Sequence, residues 1–317
     1  AIKLLAATGV VDVISFGSES GNLEELTEVA CNLCDEKLLD YIIELSREGY
    51  SYPRARALSY ETLFGPKAND VLSRPNDTLA LEYIRAHSQL REFGIVLHTV
   101  KRQSSGYSSS FDKSMRFQSA SGLRQAIKNG LDVTGFLPEE SLQSLTSSSF
   151  ADMPRIEENL FNLIRYAVIN LSPEEIDEFP QGGEGIGAKL IDSVSKVKSL
   201  DELIMAAKSK RYTYTRISRL LMQILLGIKR DDLADGEPEY LRLLAANEAG
   251  RKLIRKAKKE ELNSLPILTN INREAQNLPI FANKQLLLDI RAADTYNILT
   301  MNDMYEESDC VKRPTLL

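Results

Sequence analysis

The chain has 317 residues, 43% of them apolar and 26% charged, with a formal net charge of −6. That length supports two or three domains with a substantial buried core, and the composition is that of an ordinary soluble globular protein. No run approaches the roughly 18 apolar residues of a membrane helix, and the start lacks a basic leader and a small-residue cleavage site, which argues against a membrane-embedded or secreted chain. Three cysteines point to a reducing, cytoplasmic compartment, and two isolated histidines leave no base beside a nucleophile for triad chemistry.

The sequence begins without Met and enters an amphipathic helix, "IKLLAAT", at once; it reads as a chain whose beginning is missing. "VDVISF" (11–16), a compact β-branched run, predicts a buried strand. It ends at "GSESGN", where Gly17 and Gly21 punctuate a loop, and one long helix is expected from there to about Ser46. Cys31 and Cys34 fall inside that helix; no second Cys or His pair completes a metal site, so both read as small buried packing groups. "SYPRARALSYETLF" predicts a helix with Pro53 in its first turn. "SRPNDTLALEYIRAHSQL" predicts another, with Asn76 or Asp77 available as its cap. "GIVLHTV" (94–100) is a second buried strand, and a polar stretch, serine-rich over 104–110, leads to "QSASGLRQAI" (118–127). Strand, helices, strand, loop, helix is the rhythm of a parallel α/β sheet. Two strands are too few for one, so the missing beginning is expected to supply the others.

From about Leu137 the pattern is helical, over 139–147, 154–169, 184–197, 200–208, 213–228 and 239–258. "NSLPILTNI" predicts one late strand, "KQLLLDIRAADTYNILT" a last helix, and "YEESDCVKRPTLL" a frayed tail. Charge is uneven here. Met205–Arg230 carries seven Lys/Arg and no acid, and Arg251–Lys259 six basic residues and no acid, so an acidic chain holds two local anion-docking segments.

Four stretches are candidates for chemistry, each with a plainer reading. In "SASGLRQAI", Ser119 and Ser121 can cap a helix whose positive end favours phosphate, with Arg124 one turn in to fork onto the same anion. Taken alone, the segment reads as an ordinary capped helix with a surface arginine, since such caps are abundant. Asn76 follows Pro75, which holds the backbone before it extended, and its side chain can read a base or ribose edge, or simply start the helix. Gly17 at a strand's carboxyl end leaves room for a ligand to touch backbone, as at the crevice of an open parallel sheet, though a strand-to-helix turn also explains it. In "KSKRYTYTRISRLLMQILLGIKR", the apolar positions Ile217, Leu220, Leu221, Ile224 and Leu225 face a core. Lys208, Lys210, Arg211, Tyr212, Arg216 and Arg219 then suit either RNA, through stacking and phosphate pairing, or a solvated basic face. "QGGEGIGAKL" (181–190) resembles a phosphate loop but lacks its Gly-Lys-Ser/Thr end and a preceding strand, so it reads as a flexible helix entry.

Together, "FGSESG" (16–21), "GYSYPRARAL" (49–58), "SRPNDTLALEY" (73–83), "KRQSS" (101–105), "SASGLRQAI" (119–127) and "KSKRYTYTRISRLLMQILLGI" (208–228) resemble the bacterial tRNA(Met) cytidine acetate ligases. These are relatives of the nucleotidyltransferases that share a catalytic domain with class I aminoacyl-tRNA synthetases. The resemblance implies ATP, accompanied by Mg2+, as cosubstrate: acetate attacks the α-phosphate to give acetyl-adenylate and pyrophosphate. The acetyl group then passes to N4 of the wobble cytidine of elongator tRNA-Met. By the same resemblance, Gly17 approaches the adenosine, Asn76 holds base or ribose, Arg102 reaches the phosphates, and Ser119, Ser121 and Arg124 grip them. Ser121 stands where Thr is common, and Gly122 is an unusual choice. The basic and tyrosine residues of 208–219 belong to the tRNA face. No catalytic residue and no metal ligand is assigned.

One departure stands out. The family opens with a strand and a loop bearing a His-x-Gly-His-like signature; nothing here matches it, since His87 and His98 are single residues in other contexts. The expectation is therefore a Rossmann-like parallel-sheet domain, incomplete at its N-terminus, over 1–136, a mainly helical tRNA-binding domain over 137–317, and a chain that alone is inactive or poorly active. The rival readings are a small-molecule nucleotidyltransferase of the same superfamily and a non-catalytic RNA-binding protein.

Overall fold

The structure, a computed structural model, describes residues 1–66, 69–90, 93–103, 110–147, 153–183, 185–209, 212–233 and 236–317. Most of the serine-rich 104–110 loop, and with it the end of "KRQSS", lies outside the described residues, as do Lys210 and Arg211. The chain packs as two units, Ala1–Leu142 with Lys256–Ser264, and Gln143–Arg255 with Leu265–Leu317.

The first unit runs α1 (Ile2–Ala7), β1 (Val13–Ser18), α2 (Leu23–Asn32), α3 (Glu36–Arg47), α4 (Tyr52–Phe64), α5 (Asn69–Ser73), α6 (Pro75–Ser88), β2 (Val96–Lys101) and α7 (Ala120–Lys128). β1 and β2 pair in parallel, Ile14 opposite Leu97 and Gly17 opposite Val100, with the helices α2 to α6 between them in the chain. Both predicted strands form, each displaced about two residues toward its C-terminus. Their predicted burial is corrected. In β1, Ile14, Phe16 and Ser18 are buried and alternate with exposed neighbours, while β2 is half-buried at best. Val13, Val96 and Val100 face outward at more than half exposure. A β-branched run satisfies strand sterics whichever face is covered, so composition alone does not separate a two-sided from a one-sided strand.

The single long helix expected up to Ser46 is two. α2 starts where the Asn22 side chain accepts from the amides of Glu24 and Glu25, at 3.1 and 3.2 Å. α3 starts afresh where Asp35 accepts from Lys37 N at 2.8 Å. The break carries Leu33 into the core, and the buried reading of Cys31 and Cys34 fails with it: both cysteines are exposed. The core gathers Leu26, Leu38, Ala55, Val71, Leu81 and Ile95 around the inner face of β1.

α8 (Glu139–Ser147) leads into the second unit: α9 (Met153–Ile169), α10 (Pro173–Asp177), α11 (Ile186–Val194), α12 (Leu200–Ala207) and α13 (Tyr214–Leu226). The predicted helical stripe of α13 is the observed one, with Ile217, Leu220, Leu221 and Ile224 buried among Ile164, Phe179, Leu190 and Leu203. The helix expected over 184–197 is shorter, and α10 before it has no periodic signal because it is a single turn capped by Ser172 and Glu175. The next elements are β3 (Leu241–Arg242), β4 (Ala245–Ala246), α14 (Glu248–Lys259), β5 (Ile267–Leu268), α15 (Ile271–Glu274), α16 (Ile280–Thr300) and β6 (Thr315–Leu316). The helix expected from 239 is thus corrected: its first third is extended and pairs with β5 and β6. The tail is not frayed throughout, because Thr315 N donates to Leu244 O at 2.9 Å. Among the described residues no helix is long and apolar enough to cross a membrane.

Candidate functional site

The carboxyl ends of β1 and β2 carry a bonded set of residues within the first unit. The ladder extends past the strands, with Arg102 N donating to Ser18 O at 2.9 Å. This puts Arg102 beside Gly17: a Cβ built on Gly17 meets Arg102 Cγ at 3.5 Å, and the glycine backbone itself is exposed. The loop then turns sharply. Ser18, fully buried, hydrogen-bonds Thr99 Oγ1 at 2.7 Å and accepts from Gly21 N at 3.0 Å. Gly21 has φ +67°, and a Cβ there would lie 2.6 Å from Lys101 Cβ, so only glycine lets the loop close on the end of β2.

The start of α6 meets this loop from the other side. The helix begins at Pro75 with Arg74 as its N-cap residue, which makes no side-chain cap bond. Asn76 and Asp77 therefore lie in the first turn, correcting the reading of either as the cap. Their orphan amides are satisfied from 57 and 58 residues away: Glu19 Oε1 accepts from Asn76 N at 3.3 Å and Oε2 from Asp77 N at 2.8 Å. Glu19 also accepts from the Asn76 side chain, Nδ2 to Oε1, at 2.6 Å. In return the Asp77 carboxylate, wholly buried, accepts from Glu19 N at 2.7 Å and Ser20 N at 3.1 Å. Arg74 Nη1, 3.7 Å from Asp77, balances its charge. Asn76 Oδ1 accepts from Arg102 Nη1 at 3.4 Å. Burial pushes the Glu19 carboxyl up, but the hydrogen bonds from the Asn76 side chain and the amides of Asp77 and Asn76 outweigh it and hold the group below its ordinary value.

Gly17, Asn76 and Arg102, three positions singled out in the sequence, thus meet at one place. The other three, Ser119, Ser121 and Arg124, lie at the start of α7. There the cap reading is correct: Ser119 Oγ accepts from Gly122 N at 2.9 Å. Gly122 is buried while Ser121 and Arg124 are exposed, so the unusual glycine sits where the helix packs and the polar pair faces solvent. Sequence reasoning does not find Glu19 and Asp77 as site residues. Their types are unremarkable in sequence; the signal available is Pro75 at the first helical position, which makes the next two residues first-turn amides in need of an acceptor.

The second unit spends part of its basic segment internally. Tyr212 is buried, its hydroxyl bonding Gly183 O, and the Arg216 guanidinium lies 4.4 Å from the Tyr212 ring centroid. Arg216 also donates to Gln181 O at 3.2 Å and Gly182 O at 3.4 Å. These two residues brace the glycine-rich loop. Lys208, Tyr214 and Arg219 all reach the surface as exposed residues. The loop is no phosphate cradle, because Asp177 accepts from Gly185 N at 3.0 Å and Gly187 N at 2.8 Å, where an anion would need them. It is a braced helix entry. No group of three or more His, Cys, Asp or Glu side chains that could hold a metal lies among the described residues.

A family profile described as HIGH Nucleotidyl Transferase matches residues 1–309. The tRNA(Met) cytidine acetate ligase of Clostridium perfringens (strain SM101 / Type A) is 33% identical over 94% of this chain and 74% of its own length. The enzyme of the same name from Clostridium novyi (strain NT) is 29% identical over 100% of this chain and 78% of its own. Among solved structures, apo Thermotoga maritima TmcAL superposes with a TM-score of 0.85 at 25% identity, covering 100% of this chain and 79% of that one. The same protein bound with alpha-thio ATP gives a TM-score of 0.81. The architecture is accordingly a Rossmann-like parallel α/β domain followed by a mainly helical region.

Proposed function

This chain belongs to the HIGH nucleotidyl transferases and, within them, to the tRNA(Met) cytidine acetate ligases, and from that premise we propose that it serves as an ATP-dependent ligase acetylating N4 of the wobble cytidine of elongator tRNA-Met. The observation that carries the reading is the meeting of Gly17, Asn76 and Arg102 at the carboxyl ends of two parallel strands, where open α/β sheets bind nucleotides. A Thermotoga maritima relative bound with alpha-thio ATP supports ATP as the nucleotide.

In this reading the exposed Gly17 backbone lets the adenosine approach closely, and Asn76 offers both ends of its amide to the base or ribose. Arg102 reaches the phosphates from one side; Ser119, Ser121 and Arg124 at the start of α7 grip them from another. Acetate attacks the α-phosphorus, the bond to pyrophosphate breaks, and acetyl-adenylate results. The cytidine amine then attacks the acetyl carbonyl and AMP leaves. Such displacements need positioned positive charge more than a covalent nucleophile. Mg2+ would enter as a companion of the triphosphate, whose oxygens it prefers.

We assign tRNA binding to the helical region, residues 137–317, with Lys208 and Arg219 toward phosphates, joined by Lys210 and Arg211 of the same segment. Tyr212 and Arg216 serve that face indirectly, by bracing the loop beneath it. The test is isotope exchange between pyrophosphate and ATP with the intact protein. Exchange that requires acetate but not tRNA is expected, followed by acetyl transfer to elongator tRNA-Met and none to a transcript with uridine at the wobble position. Exchange dependent on some other small molecule, or tRNA binding without any pyrophosphate release, refutes the proposal.

A further inference from the structure

Glu19 and Asp77 do more than tie a loop to a helix. Capping the first turn of α6 requires an acceptor for two backbone amides, and the Glu19 carboxylate supplies it. Yet the shortest of its three bonds to that turn, 2.6 Å, goes to the side chain of Asn76, which capping does not require. A carboxylate only accepts, so the amide nitrogen of Asn76 must face Glu19 and its carbonyl oxygen must face away. The oxygen then lies 3.4 Å from Arg102 Nη1. Reversing the amide breaks both bonds at once, setting oxygen against oxygen and nitrogen against guanidinium.

We propose that Glu19 is a positioning residue of the nucleotide site: it fixes the amide orientation of Asn76, and through it Arg102, while Asp77 holds the Glu19 loop in place. The proposal rests on the reading of Asn76 and Arg102 as ATP contacts. The two carboxylates form a reciprocal clasp, each accepting backbone amides of the segment that bears the other. The hydrogen bonds that hold Glu19 ionised keep it an acceptor, so the orientation does not switch at neutral pH. Arg74 beside Asp77 balances the charge of that carboxylate, and Glu19 turns both of its oxygens toward N–H donors of the α6 start.

The test is a double-mutant cycle read by ATP binding, measured calorimetrically with ATP alone. Glu19→Gln keeps the volume but turns one acceptor into a donor facing donors. It is expected to weaken ATP binding about tenfold, the loss of one charged hydrogen bond. In an Asn76→Ala background the same substitution is expected to add no further loss, because nothing remains to be oriented. Glu19→Asp, which keeps the charge but loses reach, is expected to behave like Glu19→Gln and stands in should that variant fold poorly. If Asn76→Ala leaves ATP binding unchanged, the site reading fails and the proposal with it. If Asn76→Ala weakens binding while Glu19 substitutions leave it unchanged, or weaken it additively, the site stands and the positioning role is overturned.

Discussion

Removing the Asp77 carboxylate is the most direct test of how this site is held together. Its side chain is wholly buried and accepts the amides of Glu19 and Ser20 at 2.7 and 3.1 Å. Asp77→Ala leaves two partly buried N–H groups without an acceptor and Arg74 without its buried partner. Hydrogen bonds to a charged group contribute about 1.5–3 kcal/mol each. Because water can reach part of the vacated space, we expect a total near the lower end for the pair, about 3 kcal/mol. Asp77→Asn retains one acceptor oxygen and should cost about half as much. Urea unfolding followed by circular dichroism measures both, as a fall in midpoint at unchanged slope. A loss for Asp77→Ala within about 0.5 kcal/mol, the range of ordinary surface substitutions, refutes the claim that this carboxylate holds the loop.

Three further outcomes are expected. Gly187→Ala would put a Cβ 2.1 Å from Pro173 O, a backbone atom that cannot swing aside, so α10 and α11 must part at a cost of about 1–3 kcal/mol, visible as a lower melting temperature. The folded pKa of Glu19 lies below its ordinary 4.5, so the stability it contributes is complete above that pH and is lost as pH falls through the depressed value. Wild type and Glu19→Gln should therefore differ in unfolding midpoint at pH 7 and converge under acid; a constant gap contradicts the assignment. Replacing Lys208 and Arg219 by Ala should flatten the dependence of log Kd for tRNA on log salt by roughly 0.7–0.9 for each phosphate left without its cation, while ATP binding by the first unit stays unchanged.

Much of the architecture is written locally. The stripe of α13 follows 3.6-residue spacing, Ser119 caps α7 as its type suggests, and the two β-branched runs become the parallel pair. The motifs of the ligase family are local too, which is why Gly17, Asn76 and Arg102 stand out in the sequence without any knowledge of their neighbours in space. Local signals also mislead where a partner decides. Leu33 reads as one more apolar position of a helix, but burying it ends α2 and leaves Cys31 and Cys34 outside. The sequence likewise gives no sign that Tyr212 and Arg216 bond the carbonyls of Gln181, Gly182 and Gly183.

Periodicity, capping chemistry and family motifs, all carried by residues within a few positions of one another, thus determined on their own where most helices lie and what class of chemistry to expect. Only the tertiary structure decided that β1 and β2 cover one face, that residues 241–246 pair as strands instead of continuing a helix, and that Glu19 faces Asn76. The physical reason is the same each time. A hydrogen-bond donor or acceptor records in sequence only that it needs a partner, and which of several distant groups supplies it is settled when the chain closes.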